Sequence, residues 1–213
     1  MKLSPFRVRD EAAAGEMKNH PQNDDAFFLQ AVLLSKVVTR VLDQRGDIVL
    51  SAPPHIEKVR IVEFRRRMRV WGLDKFKEKT YIATVNFYLS DKDLEQHKAV
   101  GALVVYIGED YIETLLKKLG YPKIEDDDES LLEDACGTFT NIVAAKFKEG
   151  LTQLGFAELV MSHFSCFQNE ALNGVEFDIT QKEKYEIAFE IGGYKRIVVD
   201  LTLGKMPRVA TVF

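Results

Sequence analysis

The stretch from Asp126 to Leu151 predicts one long amphipathic helix, and the rest of the chain has to be arranged around it. It opens with acidic residues, which favour a helix N-terminus because they complement the unpaired N–H groups there. Ser130 and Glu133 have the spacing of a capping box, and Gly150 suits the end of the helix. Apolar side chains recur at helical spacing at Leu132, Ala135, Cys136, Phe139, Ile142, Val143 and Phe147.

A second stripe of the same helix is polar. Asp134, Thr138 and Asn141 stand at i, i+4 and i+7, so the three side chains share one side of the helix. Such a row can contact a partner surface as a unit. The alternative interpretation is a solvated helix face that carries two short polar residues of poor helix propensity.

The segment DACGTFTNIVAAKFKEGLTQLGF resembles the signature of the CheC/CheX/FliY chemotaxis phosphatases, in which Asp or Ser is followed by three residues, Glu, two residues and Asn. Asp134 stands at the first position and Asn141 at the last, but Thr138 stands where the family has Glu. The family's Pro after the next strand is absent from MSHFSCF. GALVVYIGEDYIETLLKKLGYP and DAFFLQAVLLSKVVTRVLDQRG resemble the preceding strand and helix and the first helix of CheX-type proteins. The match covers roughly residues 24–203.

This resemblance implies a site on the helix for a response regulator of the CheY type. Asn141 would orient water for attack on the regulator's aspartyl phosphate. Asp134 is the second candidate catalytic residue, because its carboxylate would reach the regulator lysine that the family's Glu contacts; an ordinary first-turn acid is the other interpretation. Thr138 cannot form that ion pair, and its hydroxyl would bond a carbonyl one turn back. Lys148 completes the expected partner-binding set. No cofactor is implied, and any Mg would belong to the partner regulator.

Two functions of different classes follow from the resemblance. The first is a weak phosphatase of the aspartyl phosphate, and the second is a non-catalytic binding module for a signalling partner. Loss of the Glu at position 138 favours the binding module. The resembled family pairs subunits through sheet edges, and the hairpin at 185–203 is expected to leave such an edge, so a homodimer is predicted.

The composition is that of an ordinary soluble protein, with 46% hydrophobic and 29% charged residues. The net charge of −4 argues against a nucleic-acid partner. No apolar run is long enough to cross a membrane, and no export signal is recognisable, so a cytoplasmic location is expected. Cys136 and Cys166 are predicted to be small buried hydrophobic residues. The four histidines lack zinc-site spacing, so no metal is expected.

One basic stretch stands out between residues 55 and 72. It contains Arg65, Arg66, Arg67 and Arg69, with Phe64, Met68 and Trp71 among them. Its sequence does not decide between helix and strand. A basic patch for nucleic acid or an acidic partner is the alternative function, against a solvated charged face whose arginine stems pack over neighbours.

The order of elements predicts an α+β fold, with long helices packed on one face of a largely antiparallel sheet. Helices are expected over 26–44 and 109–119. Strands are expected over 81–89, 99–107 and 156–167, with 169–174 as a loop. A hairpin is expected at Gly192–Gly193. Residues 1–23 are predicted to be an N-terminal tail or arm, and 24–213 a single CheX-like α+β domain.

Overall fold

The computed structural model describes residues 27–121 and 129–209. The helices within these residues are α1 (Phe28–Gly46), α2 (Asp91–Glu95), α3 (Glu109–Lys118) and α4 (Glu129–Gln153). The strands are β1 (His55–Arg60), β2 (Glu63–Phe64), β3 (Arg67–Trp71), β4 (Thr80–Tyr88), β5 (Gly101–Gly108), β6 (Val160–Met161), β7 (Ser165–Gln168), β8 (Glu170–Val175), β9 (Glu183–Ile191) and β10 (Tyr194–Leu203). The predicted α+β class is confirmed.

The main sheet has the strand order β1-β9-β10-β5-β4-β6, and β7 also pairs with β4. Every pairing in it is antiparallel. The predicted hairpin is confirmed at Gly192–Gly193, where both residues have the positive φ that a tight turn requires. The edge expected at 185–203 is wrong, because β9 pairs with β1 and β10 pairs with β5. The predicted homodimer was argued from a free edge of this hairpin, and that argument does not hold.

The long helices α1 and α4 cover one face of the main sheet. Phe139, Val143 and Phe147 of α4 are almost completely buried in the core that this face shares with α1. The rings of Phe147 and Phe87 lie 5.9 Å apart, a separation typical of favourable aromatic pairs. Each such side chain contributes roughly 1.5–3 kcal/mol when fully buried. This packing fixes which side of α4 faces outward.

A small sheet of order β2-β3-β8 covers the other face of the main sheet. Met68 and Val70 of β3 face inward and are buried with Ile82, Val104 and Tyr106 of the main sheet in a second core. Strands β4 and β5 are therefore buried on both faces. This explains why their sequences are apolar at nearly every position rather than alternating.

The small sheet accounts for most differences from the sequence predictions. The basic stretch forms β1, β2 and β3, and 169–174, predicted as a loop, instead forms most of β8. Only Ala171 and Val175 of β8 are buried, which is too few positions to give a strand pattern. The single strand expected over 156–167 is wrong: the chain forms β6 and β7, and it leaves the sheet between them.

The helix ends also differ in detail from the predictions. Helix α4 already includes Glu129, so Ser130 lies inside the helix and is not its N-cap. Residues 126–128 of the predicted helix lie outside the described residues. Helix α1 has Phe27 as its N-cap, and Asp47 in a left-handed conformation follows Gly46. Within 27–121 and 129–209, no helix combines the length and the apolarity needed to span a membrane.

A buried ionic cluster ties the two sheets together. Lys75 follows β3, and its Nζ lies 3.0 Å from Oδ1 of the fully buried Asp200 in β10. The same ammonium also pairs with Glu186 of β9. Lys184 pairs with Asp200 as well, and the Tyr106 hydroxyl donates to Asp200 at 2.8 Å. Both carboxylate oxygens of Asp200 thus accept from a donor, which a buried carboxylate requires.

Replacing Asp200 is expected to lower the free energy of unfolding far more than replacing an exposed acidic residue does. Asp200→Ala leaves two ammonium groups without their buried partner, and breaking such a pair costs about 3–5 kcal/mol. Asp43→Ala, at an exposed position of α1, is the control and should change the unfolding free energy by no more than about 0.5 kcal/mol. Urea denaturation measures both. Similar losses for the two variants would contradict the role of the cluster.

The cluster also predicts a pH dependence of stability. Burial alone would raise the pKa of Asp200, but the nearby Lys184 and Lys75 ammonium groups outweigh it and lower the pKa. The contribution of a carboxyl group with a lowered folded pKa is complete above its unfolded value of about 3.9 and is lost as the pH falls. The difference in unfolding free energy between the wild type and Asp200→Asn should therefore shrink below pH ~4. A difference that stays constant from neutral to acidic pH would oppose this assignment.

Candidate functional site

The outward side of α4 is the candidate site, because the opposite side is buried against the sheet. The helix runs without interruption from Glu129 to Gln153. Asp134 and Asn141 are exposed, and they lie two turns apart on the same side. We call the row formed by Asp134, Thr138, Asn141 and Lys148 the α4 stripe. The structure brings these four sequence-predicted residues onto one side of one helix.

Lys148 lies at the far end of the α4 stripe and is already paired. Its Nζ is 3.0 Å from a carboxylate oxygen of Glu158, in the segment that follows the helix. The Lys148 side chain is 29% exposed, and the Glu158 side chain is 73% exposed. Since exposed ion pairs are weak, a partner can displace this one at little cost.

The side chain of Thr138 lies close to an aromatic residue from another element. Tyr121, just after α3, is half-buried beside α4. Burial raises the pKa of the Tyr121 hydroxyl, whereas a hydrogen bond with the Thr138 side chain lowers it. The charge of Asp134 raises the pKa of Tyr121 and that of Arg45 lowers it, so both charges lie near this hydroxyl. The hydrogen bond expected from the Thr138 hydroxyl to a carbonyl one turn back is not observed among the described residues. A bond of that kind is made by Thr140, whose hydroxyl donates to the carbonyl of Cys136 at 2.8 Å.

The other side of the α4 stripe is bordered by Phe164, which lies between β6 and β7. A Cβ built at Gly137 would be 2.3 Å from the Phe164 ring, so only glycine allows this contact. The thiol of Cys166 also donates to the carbonyl of Glu133 at 3.0 Å. Burial raises the pKa of Cys166 to about 11, so this thiol is a packing group rather than a nucleophile. The segment between β6 and β7 is thereby held firmly against α4.

Two other acids of α4 are fully engaged, which distinguishes them from Asp134. Gln168 donates to Glu129 at 3.0 Å and to Glu133 at 2.8 Å, and Lys79 pairs with Glu129. Hydrogen bonds from Lys79 and Gln168 lower the pKa of Glu129. Asp134 has no ion pair with any residue that the structure describes. Its carboxylate is therefore available to a partner.

Sequence reasoning missed Tyr121 and Phe164, the two aromatic residues that border the α4 stripe. A glycine in the middle of a helix was the available signal for Phe164, because it marks a close approach by another element. No sequence signal linked Tyr121 to Thr138. Across 27–121 and 129–209, no three His, Cys, Asp or Glu side chains gather in a way that would hold a metal ion.

No protein-family model matches this chain, and no curated protein matches it in sequence. Solved structures do. CheX from Desulfovibrio desulfuricans is 15% identical with a TM-score of 0.53, and the match covers 82% of this chain and 99% of that one. FliY from Thermotoga maritima is 12% identical with a TM-score of 0.50, covering 88% and 92% of the two chains.

A third structure holds CheX in a complex with CheY, BeF3 and Mg, from Borrelia burgdorferi. It is 15% identical with a TM-score of 0.50, and the match covers 83% of this chain and 98% of that one. At such low sequence identity, structural similarity shows only that the fold is shared. The resemblance to the CheC/CheX/FliY proteins is confirmed at that level: this chain has the CheX-like α+β fold.

Proposed function

We propose that this protein is a chemotaxis-type signalling module that docks a CheY-type response regulator on the α4 stripe. The observation that carries the proposal is the exposure of Asp134 and Asn141, two turns apart on one uninterrupted helix. A solved protein of the same fold is itself in a complex with CheY. The fold and the exposed polar row together support a protein partner of this kind.

The missing carboxylate at position 138 makes docking, rather than fast catalysis, the main function. Thr138 is neutral, and its side chain lies beside Tyr121. Asp134 lies one turn earlier, about 6 Å along the helix axis. A regulator lysine that pairs with Asp134 would shift the regulator by that distance relative to Asn141. Because phosphoryl transfer depends on positioning, such a shift reduces the rate while preserving binding.

Slow hydrolysis of the aspartyl phosphate is the second candidate function, and the exposure of Asn141 favours it. A carboxamide both donates and accepts hydrogen bonds, so it orients a water molecule without having to change protonation state. The regulator would supply its own metal ion and lysine. This chain would contribute only the placement of the attacking water.

Docking can be tested by removing the two exposed groups together. Asp134→Ala with Asn141→Ala is expected to weaken binding of a beryllofluoride-activated CheY-type regulator at least about tenfold, because both polar anchors of the interface are lost. Gln153→Ala, an exposed position at the end of the same helix, is the matched control and should bind like the wild type. Isothermal titration calorimetry measures all three. Unchanged affinity of the double variant would remove the α4 stripe from the interface.

Catalysis can be tested by restoring the absent carboxylate. Thr138→Glu is expected to raise phosphate release from the phosphorylated regulator by about tenfold or more, since a well-placed charged group contributes at least that much to a transition state. Thr138→Gln introduces a side chain of the same size without the charge, and it should not raise the rate of phosphate release. Adding Asn141→Ala should abolish the gain. Equal rates for Thr138→Glu and Thr138→Gln would leave docking as the only function of this face.

A further inference from the structure

The turn between β2 and β3 is built from two arginines in an unfavourable backbone conformation. Arg65 has φ 51° and Arg66 has φ 63°, so both are left-handed. A two-residue hairpin loop with two positive φ values ordinarily contains Asn and Gly, because a Cβ is disfavoured there. Both arginines are exposed, so burial of their side chains does not compensate for this conformation.

The arginine turn forms one wall of a cleft of about 510 Å³. Arg65, Arg66 and Arg67 line it together with His97 and Lys98, and Glu176 and Asp178 also belong to its lining. We call this space the arginine cleft. Its volume lies within the range of roughly 300–1,000 Å³ that is typical of small-molecule sites.

Backbone strain is concentrated around the arginine cleft. The described chain has five non-glycine residues with positive φ, and Arg65, Arg66 and His97 all line this cleft. Strain of this kind persists where surrounding structure enforces it, and it gathers at functional sites. Here it holds Arg65 and Arg66 in the lining of the cleft.

The acids of the arginine cleft are already satisfied by protein donors. Glu176 accepts from Arg67 at 2.9 Å and from the Tyr88 hydroxyl at 2.8 Å, and His97 Nδ1 lies 3.0 Å from it. Asp178 accepts from the backbone N–H and the hydroxyl of Thr180, at 2.9 and 2.7 Å. Glu176 is thus paired with Arg67, and neither carboxylate forms an ion pair with Arg65, Arg66 or Lys98 among the described residues.

Several cationic donors remain for a ligand. Arg66 and Lys98 form no ion pair with any described residue, and the guanidinium of Arg65 lies only over the Phe64 ring, 5.0 Å from its centroid. Planar guanidinium groups match the geometry of phosphate oxygens, which bind them in bidentate pairs.

We propose that the arginine cleft binds a small phosphate-bearing molecule with one or two phosphate groups. A concave site of limited volume suits such a ligand better than a polymer. Glu176 and Asp178 in the lining, together with the formal net charge of −4, oppose a continuous polyanion such as nucleic acid. The cleft lies at the small sheet, on the face of the main sheet opposite α4, so the proposal is independent of regulator docking.

The test uses inorganic pyrophosphate as the probe and the full chain as the protein. Saturable changes in NMR signals are expected at residues 65–67 and 97–98. Arg65→Asn with Arg66→Gly should weaken pyrophosphate binding about tenfold or more, because two guanidinium groups are lost. The same variant should unfold at a higher temperature than the wild type, since Asn and Gly suit the turn. Loss of binding with a gain in stability separates a ligand site from a structural role.

Controls make the experiment decisive. Lys36→Gln with Arg40→Gln removes two exposed cations from α1 and should leave pyrophosphate binding unchanged. The proposal is overturned if pyrophosphate gives no saturable change, or if the turn variant binds it as well as the wild type. Tight binding of a single-stranded oligonucleotide or of an acidic peptide at these residues, without binding of pyrophosphate, would equally overturn it in favour of a macromolecular partner.

Discussion

Burial of the apolar stripe of α4 against the main sheet is the interaction on which the rest of the structure depends. Phe139, Val143 and Phe147 are fixed in the core, so the rotation of the helix about its own axis is fixed too. Asp134 and Asn141 are then exposed as a geometric consequence. The candidate site is therefore a by-product of core packing, and its precision comes from a rigid element rather than from a loop.

The small sheet has a different place in the architecture. It covers the face of the main sheet that the helices leave open, and the cluster of Lys75 and Asp200 holds it there. Its inward side chains complete a second core, while its arginine turn projects outward. The two faces of the main sheet thus support two separate surfaces, the exposed α4 stripe on one side and the arginine cleft on the other.

Much of the helical face could be predicted from sequence, because hydrophobic periodicity is a local signal, whereas the cap expected at Ser130 was wrong. The extent of α4 and the polar row from Asp134 to Asn141 follow from spacing alone. The contact of Tyr121 with Thr138 could not be predicted, since it joins segments whose relation only the folded chain defines. The strand β8 was missed because it has just two buried side chains, Ala171 and Val175. The left-handed turn at Arg65 and Arg66 was missed because its residues are unlike those of ordinary turns.

Mapping amide chemical shifts of this protein as a beryllofluoride-activated CheY-type regulator is added tests the central claim most directly. The account predicts that the largest changes follow Asp134, Thr138 and Asn141 along α4, with smaller ones at neighbouring Tyr121 and Phe164, while the small sheet stays unchanged. Changes confined to the small sheet, or to the edge strand β1, with α4 unaffected, would contradict it.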